Sequence, residues 1–196
     1  MKKLLNIKVL FNSMTLSFLL FVGYKIFGFT DLNLSNILIY ISLVTIFTLL
    51  SFLAYYDFLK MEVHNIVSFI LMISLLLINI FFYLYKGPEV GIEITNGYTY
   101  LPLFNFYAAI ILGSIFLFIV LISKEKALGQ GDVRVAIIVG LLIGYSNILT
   151  WIYITLLTAI CYALLLGIKR GKLKGLQIPF VPFMILGSLI VVLLSL

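Results

Sequence analysis

Two aspartates hold the chemistry open to this sequence. Asp57 and Asp132 each sit at the edge of a long apolar segment, whereas Asp31, Glu62, Glu89, Glu93 and Glu125 fall in short polar connections. An ionisable side chain at membrane depth is expensive to keep, so it marks a functional site with a partner. For Asp132, within Gly129-Gln130-Gly131-Asp132-Val133-Arg134-Val135, the natural partner is Asp57. Two carboxyl groups held close together share one proton, because both cannot ionise cheaply, and they titrate as a unit. The ionised member can take a proton from water while the protonated one hydrogen-bonds a carbonyl oxygen. Helix dipoles, taken alone, make Asp132 at a helix N-terminus the anion and Asp57 at a C-terminus the proton carrier, with Lys60 one turn on pushing the other way.

The elements that must position these acids are membrane helices. A chain of 196 residues, 64% hydrophobic and 10% charged, with mean hydropathy +1.26, is no soluble domain. About 20 apolar residues cross a hydrocarbon core of roughly 30 Å. Seven such stretches lie near 7–27, 33–56, 64–85, 102–122, 128–145, 147–168 and 178–195. The fold class expected is all-α, a polytopic integral membrane bundle of about seven transmembrane helices. Met1-Lys2-Lys3-Leu4-Leu5 opens like a secretory signal, but no small-residue cleavage pattern follows, so the first stretch is taken as a retained helix. Residues 1–32 then form an additional N-terminal helix and loop, ahead of a membrane domain over 33–196 that holds both aspartates.

Orientation follows from the basic residues, which accumulate in short cytoplasmic loops. With the N-terminus cytoplasmic, 11 of the 13 lysines and arginines lie inside and only Lys25 and Lys86 outside. That bias accounts for the net charge of +6 without a nucleic-acid partner. Asp57 and Asp132 then both reach the cytoplasmic side, with Asp132 roughly 6 Å into a helix that starts near Leu128. The longest connection, Lys86 to Leu101, is external, and its alternating Val90, Ile92 and Ile94, Asn96-Gly97, and Tyr98 and Tyr100 predict a short β-hairpin. Cys161, the sole cysteine, lies in an apolar span, which excludes a disulfide framework and a paired-cysteine site. His64 has no second ligand beside it, so no metal and no cofactor are expected.

Three anchors give the chain a family likeness. Gly129-Gln130-Gly131-Asp132 is followed by Val133, Arg134 and Val135, with Gly140 and Gly144 further along. Asp57 precedes Val63-His64-Asn65 by five residues, and Ile178-Pro179-Phe180-Val181-Pro182-Phe183 stands near the C-terminus. In order and spacing these resemble the prepilin peptidases, membrane aspartic proteases of the GxGD type, over helices two to seven. His64 stands where that family usually has proline, which leaves the loop less constrained but removes no catalytic atom.

The resemblance implies Asp57 and Asp132 as the catalytic pair of an aspartic endopeptidase. Such an enzyme cuts the short basic leader from prepilin-like precursors (type IV pilin, archaellin or pseudopilin) at the cytoplasmic face of a bacterial or archaeal plasma membrane. Gly129, Gly131, Lys60, Asn65 and Arg134 are read as positioning the substrate, the glycines by allowing its backbone close to Asp132. Glu62 and Glu125 are candidate contacts for the basic leader. The cysteine-bearing methyltransferase insert of larger family members is missing, so a peptidase-only form is expected. Two other readings stand beside this one. Tyr56-Asp57 with GxGD also fits the presenilin and signal-peptide-peptidase group, whose Pro-Ala-Leu element is absent here. Paired acids also serve small proton- or cation-coupled transporters, but no inverted repeat supports that.

Overall fold

A 14-residue helix is the centre of the structure. The computed structural model describes residues 34–86, 92–95, 98–171 and 177–195. Within them lie α1 (Leu34–Lys60), α2 (Asn65–Lys86), β1 (Ile92–Thr95), β2 (Tyr98–Tyr100), α3 (Pro102–Ser123), α4 (Gln130–Ile143), α5 (Ile148–Arg170) and α6 (Val181–Ser195). α4 packs against α2, α3 and α6, while α1 lies on α6 and α2, and α5 covers α6 from outside. Val135, Ala136, Ile138, Val139 and Leu141 on α4 are completely buried. A run this apolar all round has no face suited to water and is stable only when enclosed.

Close approach to α4 depends on missing side chains. A Cβ on Gly140 would stand 2.6 Å from the backbone of Ala109, so α3 and α4 meet main chain to main chain. Small residues at helix contacts permit this in membranes. Gly113 against Ile137, and Gly187 against Trp151 and Thr155, act in the same way. At the far end of α4, Gly144 takes φ +74° and the Asn105 amide donates to the Leu141 carbonyl at 3.1 Å, satisfying a buried polar group across helices.

The outer faces identify the solvent. Leu84, Leu149, Leu165 and Ile168 are each more than two-thirds exposed. Apolar surface of this extent is stable against lipid, not water. Among the described residues four helices, Ile41–Lys60, Asn65–Leu84, Pro102–Ser123 and Tyr145–Arg170, are long and apolar enough to cross a membrane, and Val181–Leu194 is shorter. The protein is a polytopic helical membrane protein.

The seven expected stretches map onto the structure with differences at the edges. The stretch near 7–27 and the cytoplasmic N-terminus lie outside the described residues. The stretches at 128–145 and 178–195 yield helices of 14 and 15 residues, about 21–23 Å long at the usual rise and so shorter than the membrane. Glycine and proline cut them back: Gly129 and Gly144 bound α4, and Pro179 precedes α6. The 33–56 stretch extends instead, because α1 continues through Asp57 to Lys60 before Met61 turns left-handed at φ 56°. The expected hairpin is present as an antiparallel pair with Ile92 opposite Tyr100 and Glu93 opposite Thr99. Its turn, Asn96-Gly97, lies outside the described residues.

Candidate active site

Asp57 occupies the last turn of α1 and Asp132 the first turn of α4. The helices run in opposite senses through the bundle, so these two turns fall at the same end of it. Both acids line one cavity of about 320 Å³, with Met61, Glu62, Val63, Asn65, Gly129, Gly131 and Arg134. Asp57 is buried at 5% exposure and Asp132 is half-buried. Such a recess keeps two carboxyl groups in a low-dielectric setting while one side stays open to water.

Each carboxyl group is held by one oxygen. Asp132 Oδ2 accepts the Gly129 N–H at 2.8 Å, and the Asp132 N–H returns to the Gly129 carbonyl at 3.1 Å. This reciprocal pair is a capping arrangement at the start of α4, where the first N–H groups have no partner inside the helix. Asp57 Oδ2 accepts the Val181 N–H at 3.1 Å from the first residue of α6. The asymmetry expected from helix dipoles is therefore offset, since Asp57 faces a helix N-terminus as well. Among the described residues no protein donor is bonded to the second oxygen of either acid. Those two oxygens are the ones available to water and to a carbonyl.

Gly131 and Gly129 differ in what surrounds them. The space of a Cβ at Gly131 is taken by Val63, with Cγ2 at 2.5 Å and Cβ at 2.6 Å, so the close approach allowed there is that of the α1–α2 connection. A Cβ at Gly129 would meet only Asp132 Oδ2 at 3.8 Å and the Gly131 nitrogen at 3.9 Å. Gly129 is thus the glycine open to the cavity.

Asn65 and Arg134 form a bridge. Arg134 Nη2 donates to Asn65 Oδ1 at 2.6 Å, and its guanidinium lies 4.8 Å from the centre of the Phe69 ring. Both residues also line a neighbouring groove of about 650 Å³ between α2, α3 and α4, whose walls include Phe69, Leu117, Val120, Leu121 and Val133. Glu125, bonded to Gln130 at 2.6 Å, lies in that groove, while Glu62 lies in the acid cavity. Lys60 is not brought to the acids: its ammonium donates to the Tyr56 hydroxyl at 3.2 Å and lies over the Tyr56 ring.

His64 has a structural task. Its Nδ1 accepts the Val67 N–H at 3.4 Å, its carbonyl accepts the Ser68 N–H, and its ring meets Tyr56 edge-on at 5.1 Å. It caps α2 in the position where a proline would stiffen the entry. Among the described residues no group of three or more metal-ligating side chains occurs. The residue that sequence reasoning missed is Val181. The available signal was Pro182, a residue that suits the first turn of a helix, where the leading N–H groups have no partner inside the helix.

The profile of the type IV leader peptidase family matches residues 43–168, more than half of the chain and inclusive of both aspartates. The chain belongs to the type IV leader peptidase family. It is a membrane-embedded peptidase acting on precursor proteins. No curated protein and no solved structure matches it. The family match stops short of Pro179–Phe183, yet in the peptidase that segment delivers the Val181 N–H to Asp57.

Proposed function

We propose that this peptidase is an aspartic endopeptidase that removes the short basic leader of prepilin-like precursors at the cytoplasmic face of the plasma membrane, with Asp57 and Asp132 as its catalytic pair. The observation that carries the reading is that the two acids, 75 residues apart in sequence, line one recess from the ends of antiparallel helices. One carboxylate takes a proton from a water molecule as the water oxygen adds to the scissile carbonyl carbon. The other, protonated, donates to the carbonyl oxygen, so negative charge does not build up there. Collapse of the tetrahedral adduct breaks the C–N bond, with a proton passed to the leaving amine, and the pair again holds one proton.

The surroundings suit a substrate with a basic leader and an apolar segment after the cut. Glu62, exposed on the recess, supplies negative charge for the leader. The apolar groove shares Asn65 and Arg134 with the recess, and this continuity supports seating the apolar segment there, one step from the acids. Gly129 leaves room beside Asp132 for an extended backbone. Residues 1–32 are proposed as an added helix and loop, with the catalytic domain over 33–196.

The deciding experiment is cleavage of a synthetic prepilin by the purified protein in lipid, with the product's new N-terminus sequenced. Cleavage directly after the leader supports the reading. An intact substrate, with protein shown to be folded, overturns it.

A further inference from the structure

Asp57 is three residues from the C-terminal end of α1, at the negative pole of that helix. A second helix offsets this. In the first turn of α6, Pro182 has no N–H and the Phe183 N–H returns to the Phe180 carbonyl at 3.1 Å. The Val181 N–H is left, and it donates to Asp57 Oδ2 at 3.1 Å in a buried bond spanning 124 residues of chain.

The turn that presents this donor is clamped. Tyr162 of α5 stands between Phe58 of α1 and Phe183 of α6, with ring centres 6.3 Å and 5.2 Å away. The Trp151 indole donates to the Met184 carbonyl at 2.9 Å, again buried. Phe180 rests on Phe116 of α3 at 6.2 Å. Aromatic rings packed in this way hold α6 against the last turn of α1, so the donor and its acceptor keep their alignment.

A backbone N–H can only donate, so the oxygen facing it accepts and any proton on Asp57 resides on the other oxygen. We infer that Val181 is a positioning residue of the peptidase reaction, acting through its main-chain N–H to set which oxygen of Asp57 meets the water and the proton shared with Asp132. The inference rests on the aspartic reading above. The start of α6 is then a third element of the catalytic centre, joined to it by an atom that no side-chain comparison would reveal.

The test compares Val181→Pro with Val181→Ala in leader cleavage. Proline suits the first position of a helix and removes the N–H while exchanging the buried isopropyl group for a ring, whereas alanine keeps the N–H and trims the side chain. A hydrogen bond to a charged group is worth about 1.5–3 kcal/mol, so Val181→Pro should lower kcat roughly 10- to 100-fold with KM within about twofold, and Val181→Ala should stay within about threefold of the parent. Parent-like kcat in Val181→Pro overturns the inference. So does an equal loss in both variants, which would trace the effect to side-chain packing.

If Val181→Pro does not fold, incorporation of the α-hydroxy analogue of valine at 181 turns the N–H into an ester oxygen and adds no ring; the same loss is expected and parent-like kcat overturns the inference. Asp57→Asn in the same assay keeps the two ideas apart. An inactive Asp57→Asn beside an active Val181→Pro removes only the inference, whereas a fully active Asp57→Asn removes the aspartic reading as well.

Discussion

A Cβ placed on Gly131 would stand 2.5 Å from Cγ2 of Val63. This single contact seats the connection after Asp57 on the first turn of α4, and so it holds the two aspartate-bearing turns in register. Overfilling such a contact displaces backbone, because both Val63 Cβ and Cγ2 stand in the way. Gly131→Ala is expected to destabilise the protein by about 1–3 kcal/mol and to cut cleavage sharply. Gly129→Ala, with only ordinary contacts, should leave the unfolding temperature in detergent nearly unchanged. Equal thermal shifts in the two variants would refute this account of the GxGD glycines.

Replacing Asp57 or Asp132 by Asn keeps size and insertion while abolishing proton exchange within the pair. Turnover should fall by at least about a thousandfold in either, and because the two act as a unit the double variant should be no worse than the single ones. The check is single-turnover cleavage with folding followed by circular dichroism. A well-folded Asp57→Asn enzyme with near-parent turnover takes Asp57 out of the mechanism.

The Arg134–Asn65 bridge should reveal itself as coupling. Asn65→Ala and Arg134→Ala are each expected to lower kcat/KM by about three- to tenfold, and the double variant by less than their product, since residues in contact couple by about 0.5–3 kcal/mol. Arg134→Lys should behave like Arg134→Ala, because an ammonium does not reproduce a planar fork stacked on Phe69. Strict additivity in the cycle argues that the two side chains act separately.

Topology is open to a direct chemical test. With the recess at the cytoplasmic face, cysteines introduced at Ser123 and Gly171 should resist an impermeant thiol reagent in intact cells, and one at Thr95 should react. Labelling of Ser123→Cys from outside would invert the orientation and put the acids on the wrong face for leader removal.

Substrate choice should depend on the leader and on the small residue at the cut. A bulky residue in place of the glycine before the scissile bond should stop cleavage, because the substrate backbone must come close to the main chain beside Asp132. Exchanging the soluble part of the precursor should change kcat/KM little, as the described connections at the recess end of the bundle are a few residues long. The opposite pattern, tolerance at the glycine and loss on exchange, counts against the groove.

The sequence by itself determined the membrane class, the spans near 33–56, 64–85, 102–122 and 147–168, and the two acids that share the recess. Apolar runs long enough for lipid are written in composition, and a carboxylate at the edge of such a run is too costly to be incidental. Periodicity also disclosed the hairpin, since alternation around Asn96-Gly97 is a local signal. What stayed hidden were relations between segments remote in the chain. Which glycine is filled by a neighbour and which faces the recess depends on where Val63 packs, and Lys60 looks like a partner of Asp57 until Tyr56 is seen to engage it. The assignment of charge from helix dipoles failed to include α6, because a helix end acts on whatever the fold brings beside it. Val181 meets Asp57 across 124 residues through a backbone atom that every residue but proline possesses, so only the packing of α6 against α1 could select it.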